Sequence, residues 1–247
     1  MRKYRLFGLV VFTAFIMVPM APHLAGATPS TQIWIPSTDT QAARTIHVGV
    51  DNYNTFFKKK DDGGFSAPTT YGLTVGLVDT TYVGLEAGLD LKEQSDNPLY
   101  LNLKLQIKED SVAQFFPAIA IGAYELGSKD NVTNANIAYV LFAKTLPVIG
   151  RISAGYYVGN QDLLVDSSGQ SDNDGVLLSF DRTLAEIDDR LWFAVDYMGA
   201  QNAYGALSFG LAWRFAPQIS AIIGYDMYNN TEVAGENTVT VQLDVDF

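Results

Sequence analysis

The last ten residues of the chain alternate strictly between apolar and polar side chains. The apolar positions are Val239, Val241, Leu243, Val245 and Phe247, and the residues between them are threonine, glutamine and aspartate. Successive side chains of a β-strand point to opposite faces, so this segment is predicted to be a strand with one apolar and one charged face. Burying two carboxylates in a soluble core is unfavourable. A strand with lipid on one side and a wet lumen on the other satisfies every residue.

The same alternation recurs along the chain, between segments rich in turn-forming residues. It predicts strands at 45–53, 69–78, 82–91, 99–107, 117–126, 134–144, 151–158, 175–182, 190–198, 203–215, 219–227 and 238–247. Most of them have close to the ~9 to 11 residues that a tilted strand needs to cross a bilayer. We therefore predict an all-β fold, a closed antiparallel transmembrane β-barrel of about twelve strands, with about ten to fourteen compatible with the pattern. The register of strands eight to ten is the least well defined.

The lengths of the predicted links also favour a membrane barrel. Links after even-numbered strands are mostly short, as at 79–81 and 216–218, whereas those after odd-numbered strands include 54–68 and 159–174. Outer-membrane barrels have short periplasmic turns and longer extracellular loops. An even number of strands then places both termini in the periplasm. A secreted soluble β-sandwich shares the alternation and remains the alternative.

The closing strand, with its alternating apolar residues and its final Phe247, resembles the C-terminal insertion signal of Gram-negative outer-membrane β-barrel proteins. The resemblance extends to a porin-like pattern over the chain but identifies no subfamily. It implies a location in the cell outer membrane and contact with lipid and lipopolysaccharide. It further implies that periplasmic chaperones and the barrel-assembly machinery handle the chain, with Val239, Val241, Leu243, Val245 and Phe247 as the signal. We expect a monomer.

The N-terminus has the features of a secretory signal peptide. Arg2, Lys3 and Arg5 precede an apolar run at 6–21, and the small residues at 25–27 suit a cleavage site after Ala27. Residues 28–44 then form a leader without either helical or strand periodicity. Its Ile33-Trp34-Ile35 core suggests a segment that folds into the periplasmic mouth and plugs part of the lumen, but a disordered tail fits equally well. The barrel is assigned to residues 45–247.

If the apolar faces point outward, a set of charged side chains lines the lumen. The candidates are Asp51, Glu86, Asp90, Lys104, Lys144, Arg151, Asp181, Asp196, Arg214, Asp226 and Asp244. Acids outnumber bases in this set, and a ring of carboxylates stabilises cations in a constriction. We therefore predict a small passive porin-like channel for cations or small neutral solutes. A non-conducting structural or surface-interaction barrel, in which these charges simply pair, is the alternative.

Other functions find little support in the residues. The chain has a net charge of −11, which argues against nucleic-acid binding, and it has no cysteine. A barrel enzyme with a serine nucleophile needs an adjacent histidine. Downstream of residue 27 the only histidine is His47, which the register points into the lumen. No complete calcium loop or metal-ligand cluster is present, so we expect no enzyme activity, cofactor or metal.

Overall fold

The computed structural model describes residues 30–59, 62, 64, 69–93 and 95–247. These residues form twelve strands and one short helix: β1 (Ile46–Asn54), β2 (Thr69–Asp79), β3 (Val83–Lys92), β4 (Leu99–Ile107), β5 (Ala118–Gly127), β6 (Ile137–Leu146), β7 (Gly150–Val158), β8 (Asp174–Thr183), β9 (Leu191–Met198), β10 (Ala206–Ala216), β11 (Ile219–Tyr228), α1 (Thr231–Ala234) and β12 (Thr238–Asp246). The predicted signal peptide at 1–27 lies outside the described residues. Within the described ranges, no helix has the length and hydropathy needed to cross a bilayer.

The strands form one closed antiparallel barrel in which each strand pairs with its neighbours in sequence. The first and last strands complete the ring, with Val48 opposite Val245 and Val50 opposite Leu243. Each of the predicted strands has a counterpart, with boundaries shifted by a few residues. The predicted fold class is therefore confirmed, and the alternative of a soluble sandwich is wrong.

The two faces of the barrel wall differ sharply in polarity. On β4, Leu101 and Leu103 are each 49% exposed on the outer surface, whereas Lys104 is 4% exposed on the inner one. On β12 the outward Leu243 is 42% exposed and the inward Asp244 is 5% exposed. A continuous apolar outer surface suits contact with lipid, because hydrocarbon cannot solvate the ionisable groups that line the inside.

The connections agree with the predicted asymmetry. At the end of the barrel that carries both termini, the links after β2, β6 and β10 are tight turns. The link from 159 to 173 is the longest at the opposite end among those described throughout. Two links on the terminal side, 108–117 and 184–190, are longer than the rest.

The link at 184–190 contains an ion pair between Arg190 and Asp188. The neighbouring guanidinium holds the pKa of the Asp188 carboxyl well below its usual range.

The register of β8 to β10, which the sequence defines least, follows from lumen-facing polar residues. Asp196 on β9 lies opposite Ser179 on β8 and opposite Ser208 on β10. Asp226 on β11 continues this row opposite Ser208. A one-residue slip would move these polar side chains into lipid, so the hydrophobic pattern selects this register.

We predict a depth-dependent response to charges on the outer surface. Leu211 lies in the middle of β10, and Phe215 lies on the same face near the terminal rim. Replacing Leu211 by Lys is expected to lower the free energy of unfolding from lipid vesicles by about 2–4 kcal/mol, and replacing Phe215 by Lys by about 0–1 kcal/mol. Urea titration of both variants measures the difference. Equal losses would contradict the assigned position of the bilayer.

Candidate functional site: a lumen filled by an N-terminal hairpin

The described part of the leader lies inside the barrel as a small hairpin. The Gln32 amide donates to the Ile35 carbonyl at 2.8 Å, and the Ser37 amide donates to the Ser30 carbonyl at 3.1 Å. Thr31 and Pro36 form an antiparallel bridge between the two arms. Pro36 has no N–H and cannot continue a ladder as a central strand, which favours a short hairpin over a thirteenth wall strand. We call residues 30–37 the hairpin.

Two isoleucines of the hairpin occupy an apolar side of the lumen. Ile33 is 2% exposed and Ile35 is fully buried. Ile33 packs against Trp192, Ala194, Ala212 and Ile222. Ile35 belongs to a larger cluster that includes Ala120, Ala135, Ile137, Tyr139, Leu141, Tyr157, Leu164, Leu177 and Met198. Burying a side chain of this size stabilises docking by about 1.5–3 kcal/mol.

The tip of the hairpin is held by hydrogen bonds to the barrel wall. One carboxylate oxygen of Asp196 accepts from the Ile33 amide at 2.7 Å and from the Trp34 amide at 3.0 Å. Gln242 Nε2 donates to the Ile33 carbonyl at 2.8 Å, and Trp34 Nε1 donates to the Tyr204 carbonyl at 2.7 Å. The buried backbone groups of the hairpin tip are not part of the hydrogen-bond ladder of the wall and need other partners. The Asp196 and Gln242 side chains supply them.

The base of the leader is held by a network of charged groups. Lys104 Nζ donates to the backbone carbonyls of Ser30 at 2.7 Å and Asp39 at 2.6 Å, and it pairs with Glu86 at 3.0 Å. The Gln41 amide donates to Glu86 Oε2 at 2.6 Å. The Asp39 carboxylate pairs with Arg151.

Arg151 also pairs with Asp181, at 2.9 Å. Asp181 in turn accepts a hydrogen bond from Gln32 Nε2 at 3.0 Å. Five of the sequence-predicted lumen residues therefore contact the leader directly: Glu86, Lys104, Arg151, Asp181 and Asp196.

A cavity of about 240 Å³ remains between the hairpin and the wall formed by β1 to β5 and β12. Five acids line it: Asp51, Glu86, Asp90, Glu125 and Asp244. Aromatic side chains from the hairpin, the wall and a loop line it as well: Trp34, Tyr53, Tyr124, Tyr139 and Tyr204. We call this space the acidic cavity. The hairpin thus divides the lumen into a packed apolar side and a polar side that retains free volume.

The remaining lumen candidates lie away from the acidic cavity. Asp226 is buried and accepts a hydrogen bond from Thr238 at 3.0 Å. Arg214 faces inward near the terminal rim, opposite Ser220, and donates to the Asp189 carbonyl at 3.5 Å. These two residues contribute charge to the lumen without touching the cavity.

Lys144 does not line the lumen, so its predicted position is wrong. It lies opposite Ile152, on the outward face of β6 at the terminal rim, and it pairs with Glu109 and Asp110. The inward face of β6 is apolar, with Ile137 and Leu141 fully buried. Because β6 is apolar on both faces, alternation does not distinguish them, and the only charge on the strand suggested the opposite orientation.

Sequence reasoning missed Glu125 and Lys92, which form an ion pair at the edge of the acidic cavity. Strict alternation places Glu125 on the lipid face of β5. The strand instead has an extra residue opposite β4, and Glu125 adopts a positive φ of 56° that turns it inward. A β-bulge re-aims side chains in this way. The cost of a carboxylate in lipid is the signal that indicates such a bulge.

The C-terminal strand has the predicted orientation of its side chains. Val241 and Leu243 are exposed on the outer surface, and Phe247 is 61% exposed. The backbone of Phe247 exchanges two hydrogen bonds with Ile46 at 2.8 and 3.0 Å, which completes the seam between β12 and β1. The terminal residue therefore takes part in barrel closure.

His47, considered in the sequence for catalysis, contacts two carboxylates of β12. Its Nδ1 lies 2.8 Å from Asp246 Oδ1, and its Nε2 lies 3.4 Å from Asp244 Oδ1. The residues that the structure describes contain no group of three or more acidic, histidine or cysteine side chains arranged to hold a metal ion. In the described structure His47 takes part in ion pairs and hydrogen bonds with these two carboxylates of β12.

No protein-family model and no curated protein matches this chain. Solved structures do match. A KdgM porin superposes with a TM-score of 0.51 at 9% identity, over 82% of this chain and 99% of that chain. A KdgM porin in complex with disordered oligogalacturonate gives 0.50 at 9% identity, over 82% and 98%. At this identity the likeness is one of fold: the closed barrel of twelve strands formed by this chain is similar to the barrels of these porins, in agreement with the resemblance seen in its sequence.

Proposed function

We propose that the protein is a small porin-like channel of the outer membrane for cations or small neutral solutes, with its N-terminal hairpin acting as a plug. The observation that carries this proposal is the division of the lumen. The hairpin fills the side bounded by β6 to β11, while a cavity of about 240 Å³ remains beside β1 to β5. The chain joins the hairpin to the wall through residues 38–45, which lead into β1, and the wall contacts described above are noncovalent, so displacement of the hairpin would open a wider path.

The sign of the lumen charge supports a preference for cations. Asp51, Asp90 and Asp244 line the acidic cavity, and Asp196 and Asp226 would face water once the hairpin left. Carboxylates along a narrow pore stabilise cations and repel anions. Small neutral molecules are also compatible with the cavity volume of about 240 Å³.

The second candidate is a non-conducting structural barrel. The specific observation that favours it is the extent of hairpin docking, with two buried isoleucines and bonds from Asp196, Gln242 and Lys104. A plug held by both packing and hydrogen bonds is costly to remove. Measurements of the ionic current through the barrel in a planar bilayer distinguish the two candidates directly.

We further propose that the chain reaches the outer membrane through a signal peptide cleaved after Ala27 and inserts as a monomer. In this proposal lipid and lipopolysaccharide surround the apolar wall, and the barrel-assembly machinery recognises β12. The exposed side chains of Val241, Leu243 and Phe247 support this proposal, because they form an apolar outward face on the C-terminal strand.

Deleting residues 28–44 is expected to increase single-channel conductance in a planar bilayer, because the lumen loses its largest obstruction. In a KCl gradient, the reversal potential of this variant should shift toward that of K⁺. The full chain, purified from outer membranes, should give a much smaller current. An absence of current from both proteins would exclude the channel and favour the structural barrel.

A double substitution tests the plug without removing it. Replacing Ile33 and Ile35 by Asp places two carboxylates in apolar pockets, at a cost of several kcal/mol. We expect undocking, and therefore conductance close to that of the deletion. Ala43→Asp adds a single carboxylate at an exposed position of the leader, outside the apolar pockets, and should leave the current small. If the double variant conducts no better than Ala43→Asp, the hairpin is not the barrier.

Deleting Phe247 is expected to lower the amount of protein in the outer membrane of a Gram-negative host, because both the terminal side chain and its seam with Ile46 are lost. Immunoblotting of membrane fractions measures the yield. Phe215→Ala removes another exposed aromatic, 64% exposed against 61% for Phe247, and serves as the control. Equal yields of the deletion and wild type would refute the role of Phe247 in insertion.

A further inference from the structure

We infer that the acidic cavity binds a small organic cation of the alkylammonium class. This inference deepens the proposed function by assigning a ligand class to the lumen, and it rests on that proposal only for the claim that the ligand also passes through. Four features of the cavity support it: its floor, its charge balance, an unpaired carboxylate oxygen and its aromatic wall.

The floor of the cavity is made of glycine. Gly49 on β1 lies opposite Gly72 on β2, and this pair continues to Asp244 on β12 and to Asp90 on β3. Two adjacent glycines therefore separate two carboxylates along one row of the wall. A Cβ added at Gly72 would lie 3.0 Å from Asp90 Oδ1, and one added at Gly49 would lie 3.8 Å from Asp244 Oδ1. Glycine within a strand marks a bulge, a bend or the close approach of a ligand or another backbone, and the pairing at Gly49 and Gly72 has no bulge.

The charges of the cavity are not balanced within the described chain. Lys104 pairs with Glu86, Lys92 with Glu125, and His47 with Asp244. Among the described residues, neither Asp51 nor Asp90 forms an ion pair. Asp90 accepts a hydrogen bond from Asn102 at 3.1 Å. Asp51 and Asp90 are half-buried inside the barrel, where carboxylates without a counter-charge repel one another, and a bound cation would supply that charge.

Asp244 provides an independent indication of a ligand. Its residue is 5% exposed and lines the cavity. Its Oδ1 faces His47, while its Oδ2 has no hydrogen-bond partner among the residues that the structure describes. A buried acceptor without a donor is costly, because it has lost its hydrogen bonds to water and gained none in return. A cation bound above the glycine floor would stabilise the Asp244 carboxylate through its charge, without direct contact with the buried Oδ2.

An ammonium group of the chain itself already lies against aromatic rings at the edge of the cavity. Lys92 Nζ lies 4.6 Å from the centre of the Tyr100 ring and 6.0 Å from that of Tyr204, beside the Glu125 carboxylate. An ammonium above an aromatic face is stabilised by the ring quadrupole. Trp34 and Tyr53, which also line the cavity, form an edge-to-face pair with ring centres 5.5 Å apart. The cavity thus offers the ammonium group of a ligand the same combination of carboxylate and aromatic ring that the Lys92 ammonium already has.

The volume distinguishes an organic cation from a bare metal ion. The cavity of about 240 Å³ exceeds the space that one ion needs, and the acids that line it are not arranged as a chelating group among the described residues. Alkyl carbons would cover the glycine floor, while the ammonium groups would face Asp51, Asp90 and Asp244.

Binding of putrescine to the full chain, purified in detergent, tests the inference by isothermal titration calorimetry. Mannitol serves as a neutral probe of comparable size and sodium glutarate as an anionic one. We expect putrescine to bind and the other two to give no heat of binding. Asp51→Asn combined with Asp90→Asn should weaken putrescine binding by about tenfold or more, since two charge-assisted contacts are lost. Raising the salt concentration should weaken it further.

Asp226→Asn is the matched control, because Asp226 is a buried lumen carboxylate that does not line the acidic cavity. This variant should bind putrescine as wild type does. Heat-dependent mobility in gels and circular dichroism establish that each variant is folded. If putrescine binds no better than mannitol, or if the Asp51/Asp90 variant binds as tightly as wild type, the inference is overturned. The assay needs no current, so binding without conductance would refute only the channel, and conductance without binding only the ligand site.

Discussion

The backbone of a chain inside lipid has no water to bond with, and the whole architecture follows from that constraint. Every strand must find two neighbours, so the sheet has to close. Here closure depends on the seam where β12 meets β1, from His47 opposite Asp246 to Asn54 opposite Val239. The first and last strands are far apart in sequence, and their pairing leaves the sheet without an open edge.

Closure also separates two solvents. Leucines such as Leu103 and Leu243 meet the bilayer, while Lys104 and Asp244 are turned toward the lumen one residue away. Twelve strands enclose more space than their own side chains fill, since barrels of about eight strands are already nearly filled. The chain fills the difference with its own leader, which supplies Ile33 and Ile35 to the apolar inner faces of β6 to β11.

The lumen therefore combines two kinds of interior. One side resembles the core of a soluble protein, with Leu141 and Leu177 fully buried against the hairpin. The other side keeps free volume and an excess of carboxylates over a glycine floor. The two sides differ because packing against β6 to β11 holds the hairpin, whereas polar side chains and free volume separate it from β1 to β5.

The sequence by itself determined a barrel of about twelve strands and, for most of them, the face that each presents to lipid, because side-chain alternation is a local property and charged residues are costly to transfer into hydrocarbon. Lumen acids such as Glu86, Asp90 and Asp244 followed from the same alternation. Where the alternation is ambiguous or interrupted, only the tertiary structure decided which way a side chain faces. Both faces of β6 are apolar, so its alternation does not show that Lys144 faces outward. Glu125 turns inward through a bulge that strict alternation does not reveal. The seat of the hairpin depends on Asp196, Gln242 and Lys104, which come from separate strands and converge only when the barrel closes.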